Sequence, residues 1–171
     1  MASWLGDDAV SALDRFESLK AEQPHLALFA VVDGLLYEQT HGERLASGQG
    51  SAALFDGTDD SALAWAGPWV VDAEQMQDLR DQLLVKEGQA PHVSWIIASL
   101  PFDGLVQLLR LKLDVRLPDG SIGLLRFYDP RVLYSLATTL TAPQREEFFG
   151  HIMEWHFRHD GQAMRIGRAD A

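Results

Sequence analysis

The stretch HIMEWHFRHD brings His151, Glu154, His156, His159 and Asp160 into one short segment, a donor set of the kind that binds zinc. On a helix turning about 100° per residue, His151 and His156 diverge by about 140°, so they do not form the i, i+4 pair of a zinc-hydrolase helix. Only His156, His159 and Asp160 would share a face. The segment reads as a helix end, where histidines sit well against the negative end of the dipole, and no metal is assigned.

Other chemistry is hinted at and incomplete. Phe55-Asp56-Gly57-Thr58 is similar to the aspartyl-nucleophile loop of haloacid dehalogenases, but Leu54 stands where a second aspartate is needed, and Val32-Asp33-Gly34 fails in the same way. Both read as Asp-Gly turns. Ser47-Gly48-Gln49-Gly50-Ser51 lacks the Lys-Ser/Thr end of a phosphate-binding loop, and no G-x-S-x-G elbow occurs. Asp59 and Asp60 lie in loop-like sequence without an apolar shell to shift their ionisation. No catalytic residue and no cofactor is assigned.

The most informative feature is RFYDPR, Arg126 to Arg131. Arg126 shares a face with Ile122 and Leu124, so its guanidinium is either paired with a carboxylate, with Asp114, Asp129, Asp33 and Asp72 as candidates, or held at a surface. In the structural reading Arg126, Asp129 and Pro130 build a corner, Asp129 as helix N-cap and Pro130 as first helical residue. In the recognition reading Tyr128 and Arg131 are exposed for a protein partner. Trp4, near the chain start, is a further exposed candidate, whereas Trp65, Trp69, Trp95 and Trp155 read as core.

These residues must be positioned by an alternation of helices and strands. Trp4, Leu5, Ala9, Leu13 and Phe16 predict a helix over 7–21, stopped by Pro24. The apolar run Leu26 to Val32 predicts a doubly buried strand closed by an Asp33-Gly34 turn. Residues 39–60 read as loops around short elements. Trp69 to Val71 predicts a strand, and Asp72 with Gln75 a capping box for a helix ending near Gly88. His92 to Ala98 predicts another strand, followed by a helix capped by Ser99. Alternation at Leu113, Val115 and Leu117, then Pro118-Asp119-Gly120, predicts a hairpin whose second strand, Ile122 to Tyr128, lies inside the sheet. Thr141 and Gln144 form a second capping box. Phe148, Ile152 and Trp155 continue at helical spacing, with fraying in the last dozen residues. The fold class is α/β, with α+β possible: a mixed sheet flanked by helices over 1–129 and a small helical C-terminal lobe over 130–171.

Composition narrows the function. The 171 residues carry a net charge of −11, with 5 Lys/Arg against 16 Asp/Glu in residues 1–100 and 9 against 9 thereafter. An acidic chain repels nucleic-acid backbones and anionic lipid, so neither nucleic acid nor membrane is expected as a partner. There is no cysteine, which excludes a thiolate site. The acidic start and the shortness of the apolar runs argue against a leader or a membrane span and for a cytoplasmic protein.

LALFAVVDGLLY (26–37), LFDGTDDSALAWAGPWVVD (54–72), a strand-helix block from Val93 to Leu111, VRLPDGSIGLLRFYDPRVL (115–133) and FFG (148–150) occur in an order that resembles the type VI secretion adaptor proteins, or effector chaperones, formerly a domain of unknown function. The resemblance implies a non-enzymatic adaptor that binds a secreted effector, near its N-terminal region, and helps load it onto a trimeric spike protein. Two rivals remain. An immunity-type protein would use its acidic half to neutralise a toxin, and a metal-dependent hydrolase would use the histidine-rich end.

Overall fold

The computed structural model describes residues 5–7 and 10–167. Its centre is formed by Ala27–Asp33 (β2) and Val93–Ala98 (β5), which pair antiparallel with Phe29 opposite Ile96 and Ala30 opposite Trp95. Every residue of β5 and all but the first of β2 are buried, as their unbroken apolar character predicts for interior strands. Outward from β2 lie Pro68–Asp72 (β4) and the short edge strand Ser51–Ala53 (β3). Outward from β5 lie Glu154–His159 (β8), Gln162–Gly167 (β9) and Leu5–Asp7 (β1). The seven strands run in the order β1-β9-β8-β5-β2-β4-β3, and all their pairings are antiparallel.

Among the described residues six α-helices complete the α/β architecture: Ala12–Glu22 (α1), Gly34–His41 (α2), Gln77–Lys86 (α3), Phe102–Leu111 (α4), Pro130–Thr139 (α5) and Ala142–Phe149 (α6). The smaller helical region expected toward the C-terminus is α5 and α6. Local chemistry sets their starts. Ser11 accepts the Asp14 N–H ahead of α1, and Asp129 caps α5 with Pro130 in its first turn. Thr141 and Gln144 make the reciprocal capping box of α6.

Several elements differ from the sequence reading. The helix expected over 7–21 starts later, at Ala12, because Leu5–Asp7 pairs with β9 as an edge strand. Asp33-Gly34 is a helix start rather than a turn: the Asp33 carboxylate accepts the Leu36 N–H at 3.1 Å and opens α2, which Gly42 ends at φ 77°. Gly34 is required there, since a Cβ would strike the Trp65 carbonyl oxygen. Asp72 and Gln75 bond to each other in the turn before α3 without capping it, and Pro101 rather than Ser99 precedes α4.

The hairpin is present as Asp114–Arg116 (β6) and Ile122–Leu124 (β7), but it forms its own two-stranded sheet. Ile122 and Leu124 are 60% and 46% exposed, so the expectation of an interior second strand is corrected. Its short pairing ends before the aromatic residues, which enter the core through a turn instead.

The largest correction concerns the C-terminus. Among the described residues helix ends at Phe149, and residues 154–167 return to the main sheet as the β8-β9 hairpin instead of continuing the helical lobe. Trp155, His156 and Phe157 are consecutive and all buried, a pattern for a strand covered on both faces. Asp160 and Gly161 turn the chain with φ of 49° and 78°, the doubly positive geometry of a two-residue hairpin loop.

Glu154 fastens this hairpin to α1. Its side chain is fully buried and receives Arg15 at 2.6 Å, His156 at 2.8 Å and Arg165 at 3.1 Å. Burial pushes its carboxyl up, but the hydrogen bonds and charges of His156 and Arg15 outweigh burial and hold it at about 2. At the opposite end of β5, His92 Nδ1 lies 2.9 Å from the Ala90 carbonyl and therefore carries the proton. Its bare Nε2 then accepts from His41 Nε2 at 3.1 Å.

Candidate functional site

The corner is built from a tight turn. The Asp129 N–H donates to the Arg126 carbonyl at 2.9 Å, closing a β-turn over residues 126–129. The turn sends its two aromatic residues inward. Phe127 is fully buried, edge-on to Trp155 at 5.8 Å and to Phe148 at 6.4 Å, and burial of a ring this size contributes about 2–3 kcal/mol.

Tyr128 is buried as well, at 7% exposure, and the expectation that it is displayed for a partner is corrected. Burial raises its phenol, against the hydrogen bond and charge of Arg126. Arg126 is exposed, with its guanidinium 5.6 Å above the Tyr128 ring. The ion pair of the corner is made by Arg131 and Asp129, not by Arg126. Asp129 accepts the Arg131 backbone N–H at 2.9 Å and its guanidinium at 2.8 Å. These bonds hold the Asp129 carboxyl below its ordinary value. The Arg131 side chain remains 82% exposed. Trp4 lies outside the described residues.

Arg126, Asp129, Pro130 and Arg131 border one cleft of about 450 Å³. The opposite walls come from Asp33, Leu35 and Leu36 at the start of α2, from the 87–91 loop after α3, and from Arg158 to Gly161 at the β8-β9 turn. Burial raises the Asp33 carboxyl, while the Leu36 N–H and the nearby Arg126 charge oppose the shift. The contribution of residues 158–161 was missed in the sequence because that segment read as helix. Its Asp160-Gly161 pair was the signal that could have located the turn.

The histidine-rich segment is dispersed by the strand. His156 is buried against Glu154. His159, an odd number of residues on, faces the other way and stacks on Tyr134 with centroids 4.1 Å apart. Among the described residues no group of three or more His, Asp or Glu side chains is placed to hold a metal ion. No helix among them is long and apolar enough to cross a membrane.

The family model described as Domain of unknown function (DUF4123) matches residues 28–147, from β2 through most of α6 and including the whole corner. No curated protein and no solved structure matches the chain. The match covers well over half of the 171 residues and takes in the resemblance segments from 54–72 to 115–133 and nearly all of 26–37, while FFG (148–150) lies just beyond it. The chain belongs to the DUF4123 family, the type VI secretion adaptor and effector-chaperone family, and with that membership comes a general adaptor or chaperone role.

Proposed function

We propose that this protein is a non-enzymatic cytoplasmic adaptor that binds a type VI secretion effector, through a region near the effector's N-terminus, and helps load it onto the trimeric spike protein. Family membership over residues 28–147 is the observation that carries the reading. The surface is compatible with it: the corner cleft presents Arg126 and Arg131 beside the half-exposed Leu35, and the β6-β7 hairpin presents Leu117, Ile122 and Leu124. Exposed apolar side chains rimmed by charge supply affinity by burial and orientation by pairing.

Removing the gene product from the native bacterium tests the role. Effector export is expected to fall while the producing cells stay healthy. Unchanged export together with self-intoxication would instead identify an immunity protein.

A further inference from the structure

We propose that the corner cleft seats an acidic peptide segment, whose side-chain carboxylates pair with Arg126 and Arg158. The adaptor reading enters only in making that segment part of a protein client.

Three guanidiniums from three elements border the cleft: Arg126 on the turn, Arg131 in the first turn of α5 and Arg158 in β8. Arg131 is already engaged by Asp129. Among the described residues, Arg126 and Arg158 make no ion pair. Arg158 donates to the Gly161 carbonyl at 2.9 Å, and Arg126 rests over Tyr128. The bordering acids have hydrogen-bond or ion-pair partners of their own. Asp33 accepts from Leu36, Glu87 accepts from the Trp95 indole at 2.9 Å, and Asp160 sits 3.4 Å from His159. Arg126 and Arg158 thus keep their guanidiniums outside any ion pair of the described residues, at one cleft of a chain whose net charge is −11.

A guanidinium fork matches a carboxylate or a phosphate. The surroundings favour the carboxylate. A phosphate carrying about −1.5 to −2 charges would meet stronger repulsion from the four neighbouring acids than a single carboxylate does. Leu35, Leu36, Pro91 and Pro130 give the walls apolar patches suited to the methylenes and backbone of a peptide. The cleft volume of about 450 Å³ falls inside the range of about 300–1,000 Å³ common for ligand sites.

The test is fluorescence anisotropy of the full chain with a fluorescein-labelled octaglutamate peptide, an uncharged octaglutamine peptide as control and inorganic phosphate as competitor. Octaglutamate is expected to bind with an affinity that falls as salt rises, octaglutamine is not, and phosphate is expected to displace the peptide poorly. The double variant Arg126→Glu/Arg158→Glu should weaken binding by about tenfold or more. The milder Arg126→Gln/Arg158→Gln pair should do the same in direction, with the melting temperature of each variant checked alongside. Failure of octaglutamate to bind, undiminished binding in a folded variant, or full displacement by phosphate overturns the proposal. If octaglutamate fails to bind while effector and spike still co-purify with the parent, the cleft assignment falls and the adaptor reading stands. If octaglutamate binds as expected but neither partner co-purifies, the adaptor reading alone falls.

Discussion

Asp129 holds Arg131 twice, accepting its backbone N–H at 2.9 Å through Oδ1 and its guanidinium at 2.8 Å through Oδ2. The first bond is the N-cap of α5, the helix that carries one wall of the cleft. Asp129→Ala is expected to lower stability by about 1–2 kcal/mol in urea unfolding, the usual size of a lost cap. Arg131→Ala, which keeps the cap, should unfold with the parent.

Arg126 carries the opposite expectation from a corner-building ion pair. It is exposed, lies over the Tyr128 ring and makes no ion pair among the described residues, so Arg126→Ala should leave the melting temperature nearly unchanged. A drop comparable to that of Asp129→Ala would show that the guanidinium fixes the turn after all.

Glu154 sets the acid limit of the fold. Its carboxyl is held at about 2 against an ordinary 4.5, so its contribution is complete above about pH 4.5 and is lost as pH falls toward 2. Glu154→Gln should cost about 3 kcal/mol at neutral pH, because Arg15 and Arg165 lose their buried counter-ion. The variant should also show a shallower loss of stability below pH 4.5, read from melting temperature against pH.

The His41–His92 contact acts in a different window. Burial lowers both imidazoles, further lowered by Lys86 and partly offset by Glu43 at His41 and by Glu87 and Asp33 at His92. The unfolded chain therefore takes up protons first as pH falls below 6.5, and stability declines from there downward. Replacing both by glutamine should flatten the melting-temperature profile below pH 6.5. An unchanged slope would contradict this.

Gly34 is a steric requirement of the α2 start. Gly34→Ala would drive its Cβ into the Trp65 carbonyl oxygen, and a loss of about 3 kcal/mol or more is expected in thermal unfolding.

Much of this fold was legible from short-range signals. The doubly buried β2 and β5, the PDG hairpin turn, the Asp129-Pro130 helix start and the Thr141/Gln144 box all depend on neighbours within a few residues. What was lost depends on distant partners. Trp155 fits a helical stripe with Phe148 and Ile152, but it is a strand residue held between Ile96 of β5 and Ile166 of β9. The recognition reading displays Tyr128, but a turn's inward and outward sides are set by packing, here against a core that includes Trp155 from a strand late in the chain. Arg158 could not be brought to the cleft until that strand was recognised, so the corner was found in the sequence while its opposite wall was not.

The proposed adaptor works by holding an effector and a spike protein together. Affinity purification of the tagged full chain from its native bacterium, read by mass spectrometry, tests this most directly. One secreted effector and one spike protein are expected to be recovered together above an untagged control. Recovery of neither would contradict it.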